Sequence, residues 1–291
     1  MPNRRKSVVG AAYAAPTAVV VTVFFLIPLG LVAWMSVNKW RLLGDHTNNF
    51  PTNYTDMADD TLLRSAVGFT LKYTLVITVI LFTVAFALAL LVQNPRPGVG
   101  TLRTAIFLPT AVGFATASLL FLGMLSNEIG PVNPFLKSIG LISKPVDWIT
   151  GSPTTALSST VGLVTWRFAG FNMLILLTGL QAIPTEVYEA ARVDGASRLQ
   201  AFRRVTLPLM RPTIALVLIL MVTGSLLAFD QFYIMTQGGP DNSTTSVVMV
   251  IVRQAFIRFN LGSAAAISVA VLAVLVLLNI VQLRVLRRRD T

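Results

Sequence analysis

The chain has 291 residues, 54% of them hydrophobic and only 12% charged, with a formal net charge of +11. Soluble domains hold roughly 45–50% apolar and about 25% charged residues, so the composition argues against a soluble helical core and for a protein embedded in lipid. With no cysteine and one histidine, disulfides, thiolate metal sites and histidine clusters are excluded.

Six apolar runs follow in chain order, near residues 11 to 37, 66 to 93, 105 to 125, 156 to 182, 211 to 235 and 264 to 286. Each is long enough to cross ~30 Å of hydrocarbon as a helix. They are continuous and not alternating, which excludes a spanning β-barrel. Arg4-Arg5-Lys6 precede the first run, but that run is longer than the apolar part of a signal peptide and the small residues Ala12 and Ala14 stand at its start and not after it, so it reads as an uncleaved first helix. The expected fold class is therefore all-α and integral to the membrane.

The basic residues lie in alternate connections. Arg4, Arg5 and Lys6, then Arg96 and Arg103, then Arg192, Arg198, Arg203, Arg204 and Arg211, and finally Arg284, Arg287, Arg288 and Arg289 fall on one side. The other side carries Lys39, Arg41, Arg64, Lys137, Lys144, Arg253 and Arg258 with most of the acids, Asp45, Asp56, Asp59, Asp60, Glu128, Asp147 and Asp241. By the positive-inside rule both termini face the cytoplasm. The positive charge is then a signature of insertion and of anionic headgroups, and nucleic acid is not implied.

Lys72, near the outer end of the second run, is expected to snorkel, and Ala85, Ala89 and the 263 to 266 stretch permit close helix packing. Arg167 lies in the fourth run and Asp230 near the outer end of the fifth. A charge facing lipid at a helix centre costs roughly 2.5–3.5 kcal/mol, so both must be paired or wet. An Arg167–Asp230 pair in the outer leaflet satisfies this, either as an interhelical pair that sets register or as part of a solute path. Trp166, Asn172, Phe229, Gln231 and Tyr233 lie near the same depth. Planar polar groups and ring faces suit a sugar, and aromatic residues serve equally as packing anchors.

Between the fourth and fifth runs stands a polar insert. Ile183-Pro184 closes the fourth run, and a short helix from about Thr185 to Asp194 is expected, with Glu186 and Glu189 at its positive end. Gly195 suits the left-handed residue that ends such a helix. Ser197 with Gln200 is a capping-box pattern, so a second helix runs to about Val205, and Leu207-Pro208 stops it. On spacing alone this is either a rigid knob of two short helices or a solvated loop whose arginines only set topology.

The same residues resemble the cytoplasmic signature of permease subunits of ABC importers, Glu-Ala-Ala, three residues, Gly, nine residues, then Ile-x-Leu-Pro. Glu189, Ala190, Ala191, Gly195, Leu207 and Pro208 match and Val205 replaces the isoleucine. Phe229-Asp230 with Thr236-Gln237-Gly238-Gly239-Pro240 and Thr244 or Thr245 resembles the carbohydrate branch. So do Gly130-x-x-Asn133-x-x-Leu136 with Gly140-Leu141 and Trp148, and Gly179 to Pro184. Tyr73 departs from the asparagine frequent in relatives. The resemblance implies the six-helix transmembrane domain of a type I ABC importer: residues 1–65 as tail, first helix and outer loop, 66–286 as helices two to six with a coupling helix within 185–208, and 287–291 as a cytoplasmic tail.

It also implies that Glu189, Ala190, Ala191, Asp194, Gly195, Leu207 and Pro208 couple to an ATPase subunit, and that Trp166, Arg167, Asn172, Phe229, Asp230, Gln231 and Tyr233 are candidates for the substrate path. No phosphate-cradling G-x-x-x-x-G-K-[ST] sequence is present. The chain is expected to bind no cofactor or metal and to catalyse no reaction, with ATP and Mg held by partner subunits. Six spans are few for a whole pathway. The implied partners are a second homologous permease, two ATP-binding subunits, an extracytoplasmic solute-binding protein, the sugar and lipid, in the bacterial plasma membrane. The expected function is import of a di- or oligosaccharide of trehalose or maltose type. A glycerol-phosphate-type importer and an ion-coupled secondary transporter remain as alternatives. An intramembrane enzyme is disfavoured, because the membrane runs hold one aspartate and no histidine.

Overall fold

The computed structural model describes residues 4–40 and 46–287. The loop charges Arg41 and Asp45 and the tail beyond Arg287, with Arg288 and Arg289, lie outside the described residues, as do the side chains of Arg4, Arg5, Lys6 and Arg287.

Among the described residues four helices are long and apolar enough to span a bilayer, Tyr13–Ser36, Thr61–Val92, Pro153–Gln181 and Leu261–Arg284. The third expected run is instead broken within itself, and the fifth is bent from the insert at its start and ends early. Val99–Ala111 meets Phe114–Met124 at 94°, and Arg198–Leu209 meets Arg211–Leu226 at 67°, so six spans are reached only if each bent pair counts as one. The causes are local. Leu108–Ala111 tightens into a 3-10 turn containing Pro109, after which Val112 and Gly113 are extended. The helix from Arg211 ends at Leu226 and not near 235, and the chain turns before a wide π-type turn at Phe232–Thr236. Irregular backbone at membrane depth is tolerated where protein buries it or a cavity adjoins it.

The contacts divide the chain into two units that are not consecutive in sequence, Met1–Thr61 with Val250–Val274, and Leu62–Met249 with Leu275–Thr291. The segment 250–274 thus groups with the N-terminal part and not with helices two to five.

In the first unit, the Trp40 carbonyl accepts from the backbone of Leu261 and Gly262 at 3.1 and 3.3 Å. Asn38–Lys39 pairs antiparallel with Thr47–Asn48. Asn53, buried, donates to the carbonyls of Ser36 and Asn38, both at 2.9 Å. His46 stacks on Trp40 with ring centres 3.5 Å apart. These contacts hold the connection after the first span on either side of residues 41 to 45.

The second unit is organised around Pro153–Gln181, whose start is fixed by a reciprocal Ser152–Thr155 capping box with Pro153 in the first turn. Thr61–Val92 adds to the same core a seam of five buried residues spaced four apart, Tyr73, Ile77, Leu81, Ala85 and Ala89. The two alanines are fully buried. Arg103 donates to the Val92 carbonyl through Nη2 at 2.6 Å and so caps the end of that helix.

Candidate functional site

The insert after Gln181 is a closed structure and not a solvated loop. Its first helix is Thr185–Val193, within one residue of expectation. Gly195 takes φ +78°, with its N–H donating to the Arg192 carbonyl and the Ala196 N–H to the Ala191 carbonyl, at 3.1 and 2.9 Å. These two bonds form a Schellman ending. Ser197 and Gln200 then make the expected capping box, with the Ser197 N–H donating to Gln200 Oε1 at 2.8 Å and the Gln200 N–H to Ser197 Oγ at 3.3 Å.

The second helix does not stop at Leu207-Pro208. It passes through a wide turn at Phe202–Thr206 and continues as Leu207–Leu209, because the Leu207 N–H reaches back to the Phe202 carbonyl. The wider turn accommodates the proline, whose ring otherwise clashes with the carbonyl four residues earlier. The two hydroxyls of Tyr188 and Thr206, 3.0 Å apart, join the first helix to that turn. At the base, a Cβ on Gly179 would stand 2.5 Å from Thr213 Oγ1, so only glycine lets the two flanking helices meet there. Glu189, Ala190, Asp194 and Gly195 are exposed, while Ala191, Leu207 and Pro208 are half-buried. Val193 projects at 88% exposure.

A cavity of about 250 Å³ opens in the second unit, slightly below the range of roughly 300–1,000 Å³ typical of ligand sites. Asn172 and Gln231 line it, together with Tyr73, Thr78, Phe114, Phe168, Phe171 and Ser225. None of its lining residues is charged. Gln231 Nε2 donates to the buried Tyr73 hydroxyl at 3.1 Å. Gln231 Oε1 and Thr78 Oγ1 are buried with no hydrogen-bond partner among the described residues.

The other candidates lie elsewhere. Trp166 packs on Phe121, ring centres 5.4 Å apart. Phe229 stacks on Tyr233, which is half exposed. Arg167 does not pair directly with Asp230, whose charge acts on it only through space. Its Nε donates to the Val112 carbonyl at 2.9 Å, and its guanidinium lies 4.4 and 5.0 Å from the ring centres of Phe168 and Phe114. Thr110 in turn donates to the Arg167 carbonyl at 2.8 Å. A guanidinium over two rings is stabilised by their negative faces, and here it holds the bend of the third run. The expected ion pair is replaced because the broken segment presents an orphan carbonyl beside it.

Tyr73 and Thr78 were not among the expected path residues. A signal existed in the four-residue spacing of Thr70, Thr74 and Thr78 on a helix that otherwise reads as apolar.

The two remaining motifs of the resemblance have direct physical readings. Asn133 accepts from the Val146 N–H and Trp148 Nε1 at 3.1 and 2.9 Å, and its Nδ2 donates to Val146 O and Asn127 Oδ1. In the Thr-Gln-Gly-Gly-Pro loop the Thr236 and Thr244 hydroxyls are 2.7 Å apart, and Thr244 Oγ1 donates to the Gly239 carbonyl. Asp147 accepts from Thr150 Oγ1 and N–H and from the Ile149 N–H. These bonds, led by that from the Thr150 hydroxyl, hold its carboxyl below the ordinary aspartate range.

The family described as binding-protein-dependent transport system inner membrane component matches residues 75–291. A lactose transport system permease protein of Rhizobium radiobacter is 32% identical, over 99% of this chain and 97% of its own. A sulfoquinovosyl glycerol transport system permease protein of Agrobacterium fabrum is 31% identical over 95% of this chain and 89% of its own. A trehalose/maltose transport system permease protein of Thermococcus litoralis is likewise 31% identical, over 98% and 96%. Among solved structures, a bacterial ABC transporter importing the acidic polysaccharide alginate superposes with a TM-score of 0.86 at 22% identity, over 99% of this chain and 98% of that one.

Proposed function

The chain belongs to the binding-protein-dependent transport system inner membrane components, as a multi-pass sugar permease of an ABC importer, and we propose that it passes a di- or oligosaccharide by alternating access. The observation that carries this reading is the protrusion at 185–209, closed on itself and exposing Glu189, Asp194 and Val193. A body fixed by its own hydrogen bonds moves as a unit when gripped. A solvated loop would absorb the same displacement.

In this reading the protrusion and both termini lie in the cytoplasm, at the plasma membrane of a bacterial cell. Glu189, Ala190, Ala191, Asp194, Gly195, Leu207 and Pro208 form or support the surface held by an ATP-binding subunit. ATP and Mg act on two such subunits, a second homologous permease completes the path, and a solute-binding protein delivers the sugar to the outer loops. Closure of the ATP-binding pair carries the protrusion with it, and the flanking helices transmit that movement through the Gly179–Thr213 contact. The cavity supplies a transit site with ring faces from Phe168 and Phe171 and polar groups from Asn172 and Gln231.

The test uses the absence of native cysteine in this chain. A Val193→Cys chain in native vesicles is expected to crosslink to the ATP-binding subunit, at a rate that changes when ATP is added. Uptake that continues after ATP is exhausted, with no such crosslink, overturns the proposal in favour of a secondary transporter.

A further inference from the structure

We infer that the cavity admits uncharged sugars in preference to anionic ones, and that Tyr73 is a positioning residue which sets this preference by fixing the Gln231 amide. The inference rests on the reading of this cavity as the sugar path. Gln231 is 2% exposed, and the bond from its Nε2 to the Tyr73 hydroxyl joins residues 158 apart in the chain. The tyrosine cannot swing away, since its ring is edge-on to Phe232 at 4.9 Å and stacks on Phe69 at 6.4 Å.

A side-chain amide offers a donor end and an acceptor end. With one N–H of its amino end held on Tyr73, the amide cannot turn, and Oε1 is the atom of this side chain left without a partner among the described residues, on a residue that lines the cavity. A sugar hydroxyl brings the proton that Oε1 lacks. The oxygens of a carboxylate, sulfonate or phosphate bring only lone pairs.

The charges agree with this. An anion entering the cavity sheds water and meets no opposite charge among the lining residues, a transfer that is unfavourable unless it is paired. Arg167, four residues before Phe171 on the same helix, is the obvious counter-ion, but it is not among the lining residues: its Nε donates to the Val112 carbonyl and its guanidinium lies against the rings of Phe114 and Phe168. Those same rings offer the C–H faces of an uncharged sugar an apolar surface.

The experiment uses the complete importer in lipid nanodiscs. A Gly224→Cys substitution at the cavity edge, where an added Cβ meets nothing within 4 Å, introduces the single thiol of this chain. Occupancy is read by mass spectrometry as a slower reaction of this chain with a small thiol reagent. Trehalose and lactose are compared with a uronic-acid disaccharide of similar size.

The uncharged sugars are expected to protect at concentrations at least about tenfold lower than the uronic acid, the scale of one net hydrogen bond. Adding Tyr73→Phe, which keeps the buried ring, narrows the ratio by about threefold or more, because the amide is then free to turn, while the uncompensated charge of the anion keeps the remainder. Gln231→Met, which removes both ends of the amide at similar volume, is expected to do the same and stands in should the Tyr73 variant fail to assemble. Equal protection by the uronic acid, or a ratio that neither variant narrows, overturns the inference and leaves the path reading intact. Protection by no sugar of either kind removes the path reading and the inference together.

Discussion

In the protrusion at 185–209 the closing bonds join residues three and five apart, with one tie across eighteen from Tyr188 to Thr206. In the cavity and its walls the deciding bonds span 55, 57 and 158 residues. The first kind of structure is specified by neighbours in sequence and persists when the rest of the molecule moves. The second exists only when several helices are packed, so a shift of any wall alters it. A transporter needs both, a part that keeps its shape under load and a part that changes shape in response.

Gly195→Val breaks the first kind at its most sensitive point. The obstacle is not space, since an added Cβ meets nothing within 4 Å, but the φ of +78°, which a β-branched residue scarcely adopts. Sugar uptake is expected to be abolished, with normal amounts of the chain in the membrane. Normal uptake would show that the protrusion tolerates a different ending and that its local closure is not what transmits movement.

Arg167→Met probes the second kind. It leaves the Val112 carbonyl without its donor and removes the cation from two rings. A loss of about 1–3 kcal/mol is expected, read as a lower unfolding temperature of the purified complex, while the preference among sugars persists. A changed sugar preference at constant stability would return Arg167 to the path and weaken the contrast.

The smallest effect belongs to the turn at Asp147, which resembles the protrusion in being built from near neighbours. The folded-state pKa of Asp147 is depressed below the ordinary value of 3.8. Its contribution is therefore fully present above that value and is lost as pH falls through the depressed one. Because the group is largely solvated the effect is small, visible as faster amide exchange at Ile149 and Thr150 in mild acid. Asp147→Asn should remove that acid dependence, and exchange that stays pH-sensitive in this variant would assign it to another group.

Legibility in the sequence followed the same division. The Gly195 ending, the Ser197–Gln200 box and the limits of Thr185–Val193 were readable to within a residue, because capping depends on side chains three to five positions from the groups they satisfy. Apolar runs announced the membrane, but not the breaks at Val112 and Leu227. Hydropathy registers what surrounds a segment, whereas a bend depends on what receives its freed carbonyls.

Of the path candidates, only Asn172 and Gln231 face the cavity. Depth along a helix was readable and azimuth was not, so Trp166, Phe229 and Tyr233 shared the depth and point elsewhere. Tyr73 stood out in the sequence only as an unusual residue in its place, and its partner 158 positions away could be supplied by packing alone. Composition and local pattern thus determined the medium, the helices and the shape of the protrusion, since these arise from transfer to lipid and short-range hydrogen bonds. Which polar groups meet inside was decided by the tertiary structure, because the rotation of each helix about its axis is set by all its neighbours at once.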